Sequence, residues 1–512
     1  MVATLETKYK EHKDDVINLV ILILIASVLG VYLIATTVLI AKDGVNYIER
    51  AQKLSSDPVG IIKGHPPGYP FLIFVAHKFV TLFTDNSSVL TWIYTAQSVT
   101  LLCRLIALIV LYFIGKFLVG STRSFWAILI LIILPYPAEF GSDALRDWPH
   151  ILFLAAGFLL LLWGAKQGKW WMFGIAGLAG GLGHIIRPEC AQLVIYGVLW
   201  LLIRLFLPTN KMNRPKIVCA LFILLLGFAM PTGPYMKVRG RILPTKLDYL
   251  ISSSYESQPQ RVVKEDIDSH NVVYATASLP SKVAKAIYRL IVKISDNLMY
   301  FFVPALVIGI YSRFHQQSKT SDIEMFFVPV FIVLNVIIMI LLYCSYEYIE
   351  RRHCLPLVVC LIFYVPIGLQ ISADWLSSRF SKGQRGNKPN PQLWFLILVA
   401  VGFSICTAKF GRITPLRWEK QGYIDAAKWL KENTSEKDLI AMADSRIRFY
   451  AQRSSRRMDG EKIPGNTTYV VKFLDVKQAE DSITFNREVQ KRYSVWMNKK
   501  ERKRRIVIYE VL

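Results

Sequence analysis

The feature that most constrains this chain is a succession of long apolar runs, of which VINLVILILIASVLGVYLIATTVLI at 16–40 is the first. A bilayer core takes roughly 20 apolar residues per crossing helix. On that criterion the sequence predicts eleven spans, near 16–41, 90–115, 125–138, 148–165, 170–186, 190–207, 216–235, 297–312, 324–344, 354–371 and 392–410. Of the 512 residues, 53% are hydrophobic and 12% aromatic. The mean hydropathy is +0.36, too apolar for an ordinary soluble chain. The predicted fold class is therefore an α-helical polytopic membrane protein with about 11 transmembrane helices. The charged stretch from Met1 to Asp15 precedes a long run with no clear small-residue cleavage site, so the first run reads as a retained span rather than a cleaved signal peptide.

The formal net charge is +24. In a soluble chain this would suggest a nucleic-acid partner, but here the basic residues flank apolar runs. In that position they hold cytoplasmic loops in place and attract anionic headgroups or lipid phosphates; no nucleic-acid partner is predicted. With the N-terminus inside, the cytoplasmic side receives Lys8, Lys10, Lys13, Lys116, Arg123, Lys166, Lys169, Arg204, Lys211, Arg214, Lys216, Arg313, Lys319, Arg379, Lys382, Arg385 and Lys388. The opposite short loops hold only Arg146, Arg187, Arg351 and Arg352. This asymmetry predicts an N-in, C-out topology. The seven cysteines lie in or beside apolar segments without a C-x-x-C spacing, which gives neither a disulfide framework nor a zinc site; Cys344 and Cys354 bracket a short loop, where pairing is the alternative to buried free thiols.

Three large segments then fall outside. In 42–89, IERAQKL and PFLIFVAHKFVTLF are too short to span and have the pattern of interfacial helices. Segment 236–296 is long and polar, the signature of a lid or binding loop. Residues 411–512 form a separate extracytoplasmic α/β domain, with a helix at YIDAAKWLKEN and strands at DLIAMA, TYVVKF and RIVIYEV. Residues 1–410 make up the transmembrane domain.

Ionisable residues are concentrated at the outer ends of the spans. Asp43 follows the first span; Asp143, Arg146 and Asp147 open the fourth; His184, Arg187 and Glu189 lie in GHIIRPEC; and Glu347, Glu350, Arg351, Arg352 and His353 lie in SYEYIERRHC. Charged groups at membrane depth are expensive, so a set that converges on one face pairs internally or lines a polar cavity. Interfacial salt bridges and snorkelling side chains are the structural alternative for any single residue. A carboxylate at the water boundary can accept a proton from an acceptor hydroxyl or amine, and an arginine fork matches the oxygens of a phosphate leaving group. The motifs of hydrolases, metalloproteases and nucleotide-binding proteins are missing from the sequence.

These residues also carry a resemblance. An Asp just after the first span, the segment Gly64-His65-Pro66-Pro67-Gly68-Tyr69-Pro70, an Arg146-Asp147-Trp148-Pro149 start to a later span and Arg352-His353-Cys354-Leu355-Pro356 together resemble the C-type glycosyltransferases. Within them the chain looks most like the protein O-mannosyltransferase and aminoarabinose transferase group of bacterial lipid-linked sugar transferases. The resemblance implies an inverting transfer of a monosaccharide from a polyprenyl-phosphate donor to an extracytoplasmic lipid, glycan or protein acceptor. It makes Asp43 the general base and Asp147 the second catalytic acid. His65 then stands where relatives place a basic residue that contacts the lipid phosphate. The expected substrate-binding set is Tyr47, His65, Tyr69, Arg146, Arg187, Glu189, Arg351 and Arg352; either or both of Arg187 and Arg352 are expected on the donor phosphate. The family often has Asp-Glu where this chain has Asp43-Gly44; the lipid-linked donor is the expected cofactor, and a divalent metal stays open as an alternative that the residues do not support. The expected location is a bacterial inner membrane with the site at its periplasmic face, the ER lumen being the alternative compartment. A polytopic transporter or lipid flippase is the competing function, since it too places charges among many helices.

Overall fold

The computed structural model describes residues 2–84, 88–207, 212–241, 279–315, 321–380, 390–458, 462–476, 485–498 and 500–512. Eleven helices cover the first half: α1 (Val2–Ala35), α2 (Lys42–Lys53), α3 (Pro58–Gly64), α4 (Gly68–Val80), α5 (Val89–Val119), α6 (Ser121–Ile133), α7 (Pro135–Phe140), α8 (Asp147–Gln167), α9 (Trp171–His184), α10 (Gln192–Phe206) and α11 (Arg214–Arg239). There follow α12 (Leu279–Asn297), α13 (Phe302–His315), α14 (Asp322–Tyr346), α15 (Leu355–Leu361), α16 (Val365–Phe380) and α17 (Pro391–Ile413).

Every one of the eleven predicted spans is helical, but they are not equivalent. Among the described residues eight helical stretches are long and apolar enough to cross a membrane: His12–Ala35, Val89–Val119, Asp147–Gln167, Pro188–Phe206, Arg214–Arg239, Asp322–Tyr346, Arg351–Phe380 and Pro391–Asn433. The pair Pro280–Asn297 and Phe302–His315, bent by 109°, makes a ninth if it is one span. Length and composition alone give eight or nine rather than eleven because the runs at 125–138 and 170–186 form helices of only 13 and 14 residues, yet the chain has to return through both for Asp43, Asp147 and Arg187 to meet at one face. Pro135 ends α6 and starts α7, since a proline accepts the first helical position but not the interior. Short α9 is buried instead by a seam of small residues: its Gly177 and Gly181 lie against the backbone of α11, so the two helices approach as close as their main chains allow. The bend after α12 comes at Met299 and Tyr300, both in the left-handed region.

The segment expected to be a lid is also partly helical. Its first residues continue α11 and its end is α12, while 242–278 lie outside the described residues. In the first outer segment α2 carries the predicted amphipathic pattern, burying Val45, Tyr47, Ile48 and Ala51 against α4 and α5. An additional short helix, α3, starts at Pro58 and is capped by Asp57, whose carboxylate accepts from the Gly60 N–H at 2.9 Å.

After α17 come α18 (Gln421–Asn433), β1 (Ile440–Met442), α19 (Ser445–Ala451), β2 (Ser455–Arg457), β3 (Tyr469–Asp475), β4 (Val489–Trp496) and β5 (Arg504–Val511). The strands form one mixed sheet in the order β2-β1-β3-β5-β4. β1 is parallel to β2 and β3, and β5 is antiparallel to β3 and β4. α18 and α19 cover one face through Leu430, Ile447 and Ala451 against Ile440, Val471 and Ile508. Strands β2 and β4 were not foreseen. Their sequences, SRR and VQKRYSVW, are rich in charge and lie at the two sheet edges, where apolar alternation gives way to the polar residues that guard unpaired strands. All seven cysteines are free thiols.

Candidate active site

Thr36 and Thr37 end the first span by returning their hydroxyls to the Tyr32 and Leu33 carbonyls at 2.8 and 2.7 Å. The chain then turns into α2, with Asp43 in its first turn, and Asp147 occupies the same place at the start of α8. Both carboxylates therefore sit at the positive end of a helix dipole.

Two close backbone approaches fix these helix starts. A side chain at Gly44 would place its Cβ 2.9 Å from the Ala144 carbonyl oxygen, and one at Gly68 would meet the Ile185 carbonyl oxygen at 2.9 Å. The Gly68 N–H donates to that Ile185 oxygen at 2.8 Å. Position 44 consequently has no room for the glutamate that the resembled family often carries there, and the proline-rich motif is docked on the turn that leads into Arg187.

Four segments converge. An oxygen of Asp43 lies 2.5 Å from an Arg352 guanidinium nitrogen, and Arg352 also reaches Glu350 at 2.9 Å. Asp147 pairs with Arg187 at 2.5 Å, and Arg187 lies 3.6 Å from Glu189. Exposure separates the two carboxylates: the Asp43 side chain is 38% exposed and that of Asp147 only 4%. Arg146 donates to the Ile186 carbonyl at 3.3 Å and lies over the Tyr47 ring at 5.7 Å. Among the described residues it makes no ion pair, so it is the arginine of this cluster whose charge is uncommitted. Tyr47 is in the field of Arg146, Asp43, Asp147 and Arg352, which marks the middle of the cluster. Burial pushes its hydroxyl pKa up, against the pull of Arg146, so it stays a neutral donor.

His65 ends α3 and is exposed. Partial burial and the nearby Arg50 and Arg146 charges hold its pKa below the usual imidazole range. A protonated His65 would add a cation beside two arginines, so the neutral ring is favoured. Because the unfolded chain takes up this proton first, the linked stability is present above about pH 6.5 and is lost as pH falls through that value toward the folded pKa. The expected result is an imidazole NMR midpoint below the ordinary value that rises in Arg50→Gln. A midpoint unmoved by that substitution contradicts this electrostatic picture.

Two members of the expected binding set lie elsewhere. Tyr69 is fully buried, with its hydroxyl 2.7 Å from Thr100 and 3.2 Å from the Ala96 carbonyl. It supports Tyr47 edge-on, with ring centroids 5.2 Å apart, and has no open face for a ligand. Arg351 stacks over Tyr136 at 4.0 Å. It points away from Arg352 because successive residues of a 3-10 turn, here Arg351–Cys354, diverge widely around the axis.

The sequence did not single out a second ion network behind the first. Arg417, in the link to the C-terminal domain, pairs with Asp143 at 2.7 Å and Glu139 at 3.4 Å, and donates to the Leu39 carbonyl at 3.0 Å. Asp143 in turn accepts the Ala41 N–H at 3.2 Å. Farther along, Arg448 of α19 pairs with Glu49 of α2 at 2.6 Å, and the Ile40 N–H donates to the Tyr450 hydroxyl at 3.2 Å. The C-terminal domain is thus fastened to both ends of the segment that presents Asp43. Among the described residues no group of three or more His, Cys, Asp or Glu side chains is arranged to hold a metal ion.

Residues 64–232 match the family model described as dolichyl-phosphate-mannose-protein mannosyltransferase. The whole chain is similar in fold to ArnT from Cupriavidus metallidurans, solved bound to undecaprenyl phosphate: the TM-score is 0.54 at 13% identity, covering 96% of this chain and 97% of that one. It is also similar to the oligosaccharyltransferase of Archaeoglobus fulgidus in its apo form, with a TM-score of 0.54 at 12% identity over 90% of this chain and 70% of that one. The same archaeal enzyme, AglB, has been solved with an inhibitory peptide and a dolichol-phosphate, and matches with a TM-score of 0.54 at 13% identity over 89% of this chain and 69% of that one. No curated protein sequence matches the chain. The fold is that of the C-type membrane glycosyltransferases, and these likenesses lend no support to the transporter alternative.

Proposed function

We propose that this chain, a multi-pass membrane protein with the C-type glycosyltransferase fold, moves a monosaccharide from a polyprenyl-phosphate carrier to an acceptor outside the cytoplasm. The observation that carries this reading is the convergence of Asp43, Tyr47, Arg146, Asp147, Arg187, Glu189 and Arg352 from four segments at the ends of apolar helices. The same chemistry is supported by the family match and by the ligands of the solved structures named above.

In this mechanism the acceptor oxygen or nitrogen attacks the anomeric carbon and the bond from that carbon to the phosphate oxygen breaks. The acceptor proton passes to Asp43, the exposed carboxylate, and polyprenyl phosphate departs. Attack opposite the leaving group inverts the anomeric centre. Arg146 takes the donor phosphate first, because its guanidinium is not committed to a carboxylate. Arg352 follows by exchanging part of its contact with Asp43 for the phosphate, which both stabilises the leaving group and frees the base. Arg187 stays with Asp147 and Glu189, an assignment different from the direct phosphate contact expected of it above. Asp147, nearly buried, orients the arginines and is a positioning residue here.

The basic residues of the short loops support an outer position for this site, and a bacterial inner membrane with a periplasmic site is the compartment we propose. A reporter fused after Leu512 is expected to be active only outside the cytoplasm; cytoplasmic activity would overturn the orientation. The function itself is tested by incubating purified protein with polyprenyl-phosphate sugars carrying a labelled hexose or pentose and extracted envelope acceptors. Label is expected to leave the carrier with release of polyprenyl phosphate. Retention of label on every carrier, by protein shown to be folded, contradicts the proposal.

A further inference from the structure

Helix α12 has three sectors where an ordinary surface helix has two. Spread at about 100° per residue, Ala286, Leu290 and Ile294 form one stripe, and this is the side packed against α14 and α15. Next around the axis come Ile287, Tyr288 and Ile291, all exposed, Tyr288 to 67%. Lys282, Lys285, Arg289 and Lys293 complete the circuit at spacings of three and four. Lys282 is paired with Glu347 at 3.2 Å and Lys293 with Asp296 at 3.6 Å. Lys285 and Arg289 are exposed and make no ion pair among the described residues.

The helix lies across the molecule rather than along it. It makes an angle of 109° with α13, the helix that follows. It also packs beside the turn Arg351–Cys354, where the Asn297 side-chain amide donates to the Arg351 carbonyl at 3.0 Å. With α13 as the crossing segment, the axis of α12 runs close to the plane of the bilayer, beside the turn that carries Arg352. An exposed apolar sector, not covered by any of the described residues, beside a basic stripe is the pattern of a helix immersed to the acyl-headgroup boundary, with cations in the phosphate layer.

We infer that α12 is a docking surface for anionic phospholipid headgroups of the outer leaflet, which Lys285 and Arg289 recognise while Ile287, Tyr288 and Ile291 enter the acyl region. Charge complementarity selects this occupant. Two cations that make no ion pair among the described residues, beside an apolar strip, match a headgroup that is negatively charged and tethered to acyl chains, whereas a zwitterionic lipid offers each phosphate already accompanied by a cation. The surface holds bulk anionic lipid next to the donor site and is separate from the arginines assigned to the donor phosphate.

The test uses the full chain in neutral detergent, titrated with a fluorescent short-chain phosphatidylglycerol and its phosphatidylcholine counterpart. Wild-type protein is expected to prefer phosphatidylglycerol. The double variant K285Q/R289Q is expected to bind it roughly thirtyfold more weakly, since each of the two basic residues near an anionic surface contributes on the order of 1 kcal/mol, while phosphatidylcholine binding stays unchanged. K428Q, on the exposed face of α18, is the control that removes charge elsewhere, and melting temperature checks that all variants are folded. Equal binding of the two lipids by wild type, or an unchanged phosphatidylglycerol affinity in the double variant, overturns the inference. Competition separates the remaining sources: displacement of the probe by millimolar inorganic phosphate would reveal a free-anion site, and stoichiometric displacement by polyprenyl phosphate would assign the stripe to the donor. Either result also overturns it.

Discussion

Asp43→Asn is expected to lower transfer turnover by roughly 10² to 10⁴, the usual contribution of a general base, while leaving insertion and donor binding intact. The substitution keeps the shape of the side chain and removes its ability to take the acceptor proton. It also removes the charge facing Arg352, which sits 2.5 Å away. That arginine then becomes freer to hold the donor phosphate, so donor affinity should be equal or higher as kcat falls. Labelled-sugar transfer and equilibrium binding of the lipid carrier, measured on the same purified variant, separate these effects. A loss of donor binding without a loss in single-turnover rate would assign Asp43 to the phosphate-binding machinery instead.

Arg187→Gln is expected to cost about 3–5 kcal/mol of stability, the range found when one member of a buried ion pair is removed. Asp147 is 4% exposed and Arg187 8%; Arg352 also lies in the field of Asp147, but its ion pairs are with Asp43 and Glu350. The strain of the variant lies in the stranded carboxylate, so Arg187→Gln/Asp147→Asn should be more stable than Arg187→Gln alone, although both should be impaired in transfer. Thermal unfolding in one detergent checks the order. If the double variant were the less stable one, the Asp147–Arg187 pair would not be the source of the cost.

Asp43, Arg146, Asp147, Arg187, Glu189 and Arg352 were legible because each stands where an apolar run stops, and a charge at such a boundary is costly unless it has a partner. Their pairing was not legible. Nothing local in SYEYIERRHC tells Arg351 from Arg352; a 3-10 turn sends the first to Tyr136 and the second to Asp43. Tyr69 shared a motif with His65, yet it belongs to the buried face of α4 with Ile73 and His77, at intervals of four residues. The helical period of that segment carried the information, and the motif masked it. Arg417 was hidden for another reason: its partners Asp143 and Glu139 lie in a different part of the sequence, and a single arginine in a polar linker has no pattern of its own. Among the spans, hydropathy did not reveal that α6 and α9 would be so short, because proline breaks and glycine seams change the length of a helix without changing how apolar it is.

The central claim is that one cluster at the end of the helices receives a polyprenyl phosphate. Its most direct test is a cryo-electron microscopy structure of the full chain in a nanodisc loaded with polyprenyl phosphate. The phosphate is predicted within hydrogen-bonding distance of Arg146, with Arg352 turned toward it from Asp43 and the Asp43 carboxylate open to the outer solvent. A phosphate held away from Arg146 and Arg352, with the Asp43–Arg352 pair unchanged, would contradict the account.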